Sequence, residues 1–314
     1  MKTKLTKHQL LFCLIFLLLG ACTVKDKTSS LYERYLTNDI PTDIPESYLP
    51  VGTLDGNITH QGVFSPDYET YYYTVSDPNF TQFIVKQITK QDNEWSKPKS
   101  AFFNTDFNEH GLSFSQDGNT LFFSSTRPLP DVDTTSTWHL WQTQRVGGHW
   151  GEPVHIDIPN LRGQLTSHPS IALDGTLYFH SSNPDYTQMR IYRSEPEPDG
   201  RYLAATKVRI PGLSEVESCT PYVDPQERFI LFAIIGDELE LAVSKRRESG
   251  SWGNVQKLPA SINTKGQGNP QVSPDGEYLF FAAGDFSKGQ GEIKWIELAA
   301  ILQPLNLQSK STVQ

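Results

Sequence analysis

Three histidines and two glutamates are the residues whose spacing could bring reactive side chains to one place. His60, His110 and His168 recur once in each of three successive sequence repeats, and Glu109 and Glu217 lie close to the same positions. Converging imidazoles could bind a divalent metal such as Zn²⁺ or Mn²⁺, or supply a general base acting on a sugar. Two carboxylates facing one bond are what glycoside hydrolysis uses. The structural alternative is that each histidine only caps the strand it precedes.

Asn269 and Trp138 complete the candidate ligand-binding residues. Asn269 occupies in the fifth repeat the position that His168 occupies in the third. Trp138 follows a long arm, residues 126–137, rich in Pro, Asp and Thr, which predicts a solvent-facing loop carrying an exposed aromatic side chain. The sequence contains no Gly-rich phosphate loop and no Gly-x-Ser-x-Gly motif, so it gives no support to nucleotide binding or to a serine hydrolase.

The strands and turns that position these residues come from a sequence repeat that occurs five times. The copies are VFSPDYETYYYTVS from Val63, SFSQDGNTLFFSS from Ser113, SIALDGTLYFHSS from Ser170, YVDPQERFILFA from Tyr222 and QVSPDGEYLFFAA from Gln271. Their turn positions are Asp67, Asp117, Asp174, Gln226 and Asp275, so the steps are 50, 57, 52 and 49 residues. A unit of this size stacks on its neighbours because it cannot bury its apolar face alone.

Each copy predicts one blade of a propeller. A polar turn between two β-rich runs indicates a hairpin, a third run follows, and Trp95, Trp150 or Trp252 leads a fourth segment, with Tyr202 in that place in the third repeat. Four strands per repeat are typical of a propeller blade. We interpret the repeated aspartates as turn formers and the three tryptophans as packing residues.

The fifth repeat lacks a fourth strand, and a strand-like stretch at residues 47–54 precedes the first repeat. We expect this stretch to complete the last blade and close the ring, which removes open sheet edges. The predicted fold is therefore all-β, a five-bladed propeller of four-stranded blades over residues 47–302, followed by a tail at 303–314.

The blocks FSPD, SFSQDGNTLFFSS and QVSPDGEYLFF resemble WD40-like propeller repeats of the Pro-Asp type, over residues 62–298. Such repeats occur in the Tol–Pal translocation propeller and in many bacterial envelope proteins. The fourth repeat departs from the pattern, with Asp224, Pro225 and Gln226 in an altered order, so its turn is expected to differ. The separate N-terminal domain of the translocation protein is not recognisable here, and its partner is not carried over.

Residues 1–21 have the anatomy of a bacterial secretion signal, with three early lysines and an apolar run at 10–19 too short to span a membrane as a mature helix. The run ends in Leu-Gly-Ala-Cys, which resembles a lipobox and predicts lipidation of Cys22, including palmitate. Residues 22–46 then form a polar spacer. Thr23 favours the outer membrane by analogy, on its periplasmic or surface face. The alternative is an ordinary signal peptide with an incidental cysteine.

The net charge of the chain limits the classes of molecule that it is expected to bind. The chain has 27 basic and 36 acidic residues, a net charge of −9, which argues against nucleic acid as a partner because phosphate binding favours a positive face.

The cysteine content predicts that no disulfide forms within the chain. Cys13 would be removed with the signal peptide and Cys22 would be lipidated, so Cys219 has no cysteine to pair with. We predict that Cys219 is a small buried residue.

Two functions follow as expectations. The first is a lipid-tethered envelope module that binds a protein or a cell-envelope partner, such as a polysaccharide, on its ring face. The second is a carbohydrate-active enzyme, a glycoside hydrolase or lyase, with its site at the central opening. A divalent metal is the one cofactor that the histidines suggest.

Overall fold

Strands dominate the part of the chain that the computed structural model describes, which is residues 34–37, 40–48, 58–91, 94–130 and 137–304. The chain divides into two units, residues 1–40 and 41–314, and the second contains the propeller. The predicted signal, Cys22, most of the 47–54 stretch and residues 305–314 lie outside the described residues. Within the described ranges, no helix has the length and apolar character needed to cross a membrane.

Five antiparallel sheets form the five blades of the propeller, which confirms the predicted fold. Blade 1 contains β2 (Ile58–Phe64), β3 (Thr70–Ser76), β4 (Phe83–Gln91), β5 (Glu94–Trp95) and β6 (Lys99–Ser100). Blade 2 contains β7 (Glu109–Phe114), β8 (Thr120–Ser125), β9 (His139–Val146), β10 (His149–Trp150) and β11 (Val154–His155). Blade 3 contains β12 (Leu165–Ile171), β13 (Leu177–Ser182), β14 (Arg190–Ser194) and β15 (Thr206–Lys207). Blade 4 contains β16 (Ser218–Val223), β17 (Phe229–Ile235), β18 (Leu239–Lys245) and β19 (Gln256–Lys257). Blade 5 contains β20 (Gly268–Val272), β21 (Tyr278–Ala283), β22 (Glu292–Glu297) and β1 (Glu46–Ser47).

Two helical segments accompany the last blade. A 3-10 helix, Phe286–Lys288, lies between β21 and β22, and the helix α1, Leu298–Leu302, follows β22.

The outermost strand of each of the first four blades is short, and an aromatic residue lies near its start: Trp95, Trp150, Tyr202 or Trp252. In blades 1 and 2 it is broken into two pieces, both paired with the third strand. In blades 3 and 4 the first piece is a single bridge, Pro196 with Tyr202 and Arg246 with Trp252. The Arg246 guanidinium lies 4.8 Å from the Trp252 ring centroid, and Trp252 is buried, which confirms its packing role.

The repeated turns are held by the predicted aspartates. The Ser65 hydroxyl donates to Asp67 Oδ1, which also accepts from the Glu69 N–H at 3.0 Å. Asp117 and Asp275 make the same two kinds of contact. In the fourth blade the turn differs, as expected, because Asp224 stands at the serine position and bonds Arg228 instead.

The N-terminal strand closes the ring. Glu46 pairs with Trp295 and Ser47 with Lys294, and the Tyr48 N–H donates to the Ile293 carbonyl at 2.8 Å. The closing strand was predicted and is present. Its described part begins one residue earlier than expected, at Glu46.

Apolar clusters fill the spaces between neighbouring blades. The middle strands are apolar on both faces because each blade has a neighbour on either side: all six residues of β21 are buried, and six of the seven residues of β17. Each buried Leu, Ile or Phe contributes about 1.5–3 kcal/mol relative to an exposed one. At the closing seam, the buried Tyr48 ring packs edge-on against Phe280 and Trp295, with centroids 5.0 and 5.3 Å away.

Candidate functional site

A bulge in every innermost strand places the candidate side chains. In blades 2 to 5 the pairing shifts by one residue at Gly111, His168, Thr220 and Asn269, and each of these has a positive φ between 47° and 61°. In blade 1 the shift falls at His60. A bulge leaves one residue out of the ladder and re-aims its side chain. The strained backbone of three non-glycine residues therefore serves to position side chains at this end of the ring.

Four histidines lie together here, which we call the histidine cluster: His60, His110, His168 and His180. The His110 and His168 rings have centroids 4.3 Å apart, and His168 stacks on His180 at 5.0 Å. The structure thus brings the three predicted histidines into one neighbourhood and adds a fourth, His180, from β13.

Asn269 connects the histidine cluster across the propeller axis. Its Nδ2 donates to the His60 carbonyl at 2.9 Å, and its side chain also hydrogen-bonds with His168. His168 belongs to blade 3 and Asn269 to blade 5, which are not neighbours, so this contact is made across the centre. The side chains of His168 and Asn269 therefore meet at the axis.

Aromatic residues wall one side of the cluster. Trp138 stacks on His110, with ring centroids 3.7 Å apart, and Phe83 packs edge-on against both. His60 contacts Phe83 and Phe286 at centroid distances of 5.2 and 5.8 Å. The predicted exposure of Trp138 is wrong, because only 6 % of its surface is accessible. Its contact is with a histidine of the cluster rather than with solvent.

Burial makes the cluster neutral at physiological pH. Burial lowers the pKa of His60 to about 4. Burial also lowers the pKa of His168 to about 3, helped by His60 and opposed by the hydrogen bond with Asn269. For His110 and His180 burial holds the pKa well below 6.5, and neighbouring imidazoles lower it further. Neutral imidazole offers one donor and one acceptor nitrogen.

Serine and threonine residues connect the rings. Ser167 Oγ lies 2.8 Å from His110 Nε2 and 3.1 Å from His168 Nδ1. The Thr220 N–H donates to His180 Nδ1 at 3.1 Å, so in neutral His180 the proton is on Nε2. The cluster is thus a set of uncharged donors and acceptors. His110, His168 and Asn269 are half-buried, so part of each reaches solvent.

The two candidate carboxylates have structural partners. Glu109 is 1 % exposed; its Oε1 lies 3.0 Å from Arg127 Nη2 and accepts from the Ser125 hydroxyl at 3.0 Å. Glu217 Oε1 accepts from the Met189 N–H at 3.0 Å and lies 3.6 Å from Arg190 Nη1. Both carboxylates are thus engaged in contacts within the protein. These contacts give no support to the prediction that Glu109 and Glu217 form a catalytic pair.

The metal prediction also gains no support. In the described part of the chain, no group of three or more His, Cys, Asp or Glu side chains is arranged to hold a metal ion. Cys219 is buried, as predicted, and burial raises the pKa of its thiol to about 12. A thiol so rarely ionised is a poor nucleophile.

A cavity opens at the other end of the axis, where the aspartate turns lie. Its volume is about 390 Å³, and every blade contributes to its lining, through Val63, Ser113, Ser170, Tyr222 and Gln271 among others. The sequence indicated only the histidine end. The cavity escaped notice because its lining residues, such as Ser113, Asp224 and Asp275, belong to the repeated strands and turns, which the sequence indicates as structural.

No protein-family model matches the chain, and the comparison with curated proteins finds no match. Among solved structures, the chain is similar to TolB from Acinetobacter baumannii, at 16 % identity and a TM-score of 0.48, over 78 % of this chain and 53 % of that one. It is also similar to a putative TolB from Agrobacterium tumefaciens, at 15 % identity and a TM-score of 0.44, over 76 % and 90 %. A GH43 endo-arabinanase from Bacillus licheniformis shares 14 % identity, with a TM-score of 0.48, over 78 % and 96 %. The chain spans about half the length of the Acinetobacter protein, and a shared fold at this identity does not determine function.

Proposed function

We propose that this chain is a lipid-anchored protein of the cell envelope whose propeller binds a protein or polysaccharide partner at the histidine end of the ring. The observation that carries the proposal is the histidine cluster, where uncharged hydrogen-bonding groups from separate blades meet at the axis. Its membership spans blades 1, 2, 3 and 5 when Asn269 is included. A surface of this kind suits recognition by directed hydrogen bonds.

The chemistry of the cluster favours binding over catalysis. A general base works best when its pKa lies near the operating pH, whereas His60 and His168 have pKa values of about 4 and 3. Neutral imidazoles, hydroxyls and amides instead form hydrogen bonds with the hydroxyl, amide and carbonyl groups of peptides and sugars. The half-buried rings beside Trp138 suit a partner that touches the end of the ring.

The envelope location rests on the N-terminal sequence. Residues 1–21 resemble a secretion signal and Cys22 follows a lipobox-like run. A lipid on Cys22 would supply the membrane attachment, while the acidic propeller, with a net chain charge of −9, is repelled by anionic headgroups. The test is metabolic labelling with radioactive palmitate in the source cells. Label on the wild type and none on Cys22→Ser supports the anchor; equal labelling of the two overturns it.

The binding site is tested by site-specific photo-crosslinking in cells. A crosslinking amino acid replaces His168 in one protein and the exposed Lys257 of blade 4 in the control. The expected result is one adduct, protein or glycan, that forms at position 168 and not at 257. The isolated partner should then bind the purified propeller at least tenfold more weakly after Asn269→Ala.

Two results would overturn the binding role. One is identical adducts at positions 168 and 257 together with unchanged partner affinity in Asn269→Ala. The other is sustained turnover of a polysaccharide that Glu217→Gln abolishes in a folded protein, which would restore the enzyme interpretation.

A further inference from the structure

A basic pocket lies between blades 3 and 4 of this acidic protein, apart from the histidine cluster. Its volume is about 490 Å³, within the range of small-molecule sites. Four cationic side chains line it: Arg190, Lys207, Arg209 and Arg247. A chain with nine more acidic than basic residues has no compositional reason to gather four cations in one place.

The floor of this basic pocket is apolar. Ile191, Val208, Ile210, Leu213 and Trp252 line it and are each at most 8 % exposed. They belong to the cluster that packs blade 3 against blade 4. The pocket therefore combines an apolar base with a cationic rim.

Two of the four cations are held by the protein and two are not. Arg190 Nη1 lies 3.6 Å from Glu217 and donates to the Met189 carbonyl at 2.8 Å. Arg247 Nη2 reaches Asn254 at 3.5 Å. Lys207 and Arg209 are exposed and have no hydrogen-bond or ion-pair partner among the described residues.

The next blade provides a contrast at the same position. Lys207 pairs with Tyr192 in the third strand of blade 3, and Lys257 pairs with Ala242 in the third strand of blade 4, so the two lysines are structural equivalents. Lys257 is ion-paired with Glu240. Lys207, beside the basic pocket, faces no such carboxylate in the described structure.

We propose that the basic pocket binds an amphiphilic organic anion, a carboxylate or phosphate carried on an apolar body. The anionic group lies against Lys207 and Arg209, where charge-assisted hydrogen bonds are strongest, and the apolar body covers Leu213 and Trp252. Charge complementarity on one side and apolar contact on the other select this class over neutral or cationic amphiphiles.

The test uses decanoate as the probe and isothermal titration calorimetry of the mature protein at low salt. Decanoate should bind saturably with a stoichiometry of one, and decyltrimethylammonium, which has the same chain and the opposite charge, should not. The double variant Lys207→Gln/Arg209→Gln should weaken binding at least tenfold, since hydrogen bonds to charged groups are among the stronger contacts. Added salt should also weaken it, because the cations are exposed.

The matched control is Arg201→Gln/Lys257→Gln, which removes the same charge from two ion-paired residues outside the pocket. It should leave decanoate affinity unchanged within twofold. Equal weakening by both double variants, or no saturable decanoate binding, would overturn the proposal. So would binding to phosphatidylglycerol vesicles that depends on Lys207 without any decanoate binding, since it would identify a membrane contact instead.

Discussion

The substitution His60→Gln should reduce the acid sensitivity of the fold. His60 is 9 % exposed, and burial lowers its pKa from 6.5 to about 4. Below pH 6.5 the unfolded chain binds a proton at this position while the folded protein does not. The free energy of unfolding therefore falls as the pH falls, and the loss is complete only below pH 4.

The size of the effect follows from the two pKa values. The full difference is worth about 3.4 kcal/mol, at about 1.36 kcal/mol per pKa unit. Between pH 8 and pH 5 the loss from this one histidine is about 2 kcal/mol. Glutamine retains a polar group near Ser76 Oγ, the hydrogen-bond partner of His60 Nε2 at 2.7 Å, and does not titrate.

The assay is urea unfolding followed by tryptophan fluorescence at pH 8 and pH 5. The wild type should lose about 2 kcal/mol more than His60→Gln between these two pH values, whatever the variant costs at pH 8. His149→Gln, which replaces an exposed histidine, should behave as the wild type does. If His60→Gln and the wild type lose the same free energy, His60 titrates normally in the folded protein and the description of a neutral cluster is wrong.

Three further substitutions test the packing. Arg127→Met leaves the Glu109 carboxylate buried without its ion-pair partner, so we expect urea unfolding to show a loss of about 3–5 kcal/mol; a loss under about 1 kcal/mol would contradict a buried pair. Tyr48→Ala removes the ring that packs against Phe280 and Trp295 at the closing seam. It should lower the free energy of unfolding by about 3–5 kcal/mol and speed proteolysis of the last blade. An unchanged digestion rate would mean that these contacts do not keep the propeller closed. Gly62→Ala places a Cβ 2.0 Å from the Tyr71 hydroxyl and should cost at least about 1 kcal/mol by thermal melting. Tyr71→Phe should partly restore that stability, and failure to do so would locate the clash elsewhere.

The fold was predictable because the same short pattern of strand and turn residues recurs five times in the sequence. Each turn is set by short-range hydrogen bonds of the kind that Asp67 makes with its neighbours, and such contacts can be inferred from a few adjacent residues. Ring closure was inferred from a missing strand in the last repeat and an unassigned stretch before the first. The described part of that strand begins one residue earlier than predicted, at Glu46, and most of the predicted 47–54 stretch lies outside the described residues.

The site was predictable in outline and not in its chemistry. The spacing of His60, His110 and His168 placed them at equivalent depths, but the bulges that turn them towards the axis depend on backbone geometry that residue types do not reveal. His180 escaped because it comes from a second strand, where it lies opposite Ser167. A histidine directly after the apolar run at residues 177–179 was the available signal.

Contacts between residues that are distant in the sequence explain the other places where the structure differs from the predictions. The sequence makes Glu109 a catalytic candidate, whereas the structure pairs it with Arg127; the two are separated by 18 positions that the local pattern does not connect. Trp138 was placed in solvent because it follows a polar arm, whereas it stacks on His110 from the same blade. Burial of both side chains depends on neighbours that are distant in the sequence.

The closing strand also sets the order in which the molecule can assemble. The Ser47 hydroxyl donates to Glu292 Oε2 at 2.6 Å across 245 positions of sequence, so this pairing forms only once nearly the whole polypeptide is present. Contacts of such long range are slow to form. Until then the outer edge of β22 presents unpaired backbone groups, which another molecule's segment 46–47 could occupy as readily as its own. High concentration during refolding should therefore yield strand-exchanged dimers, joined through the fifth blade while the other four remain intact.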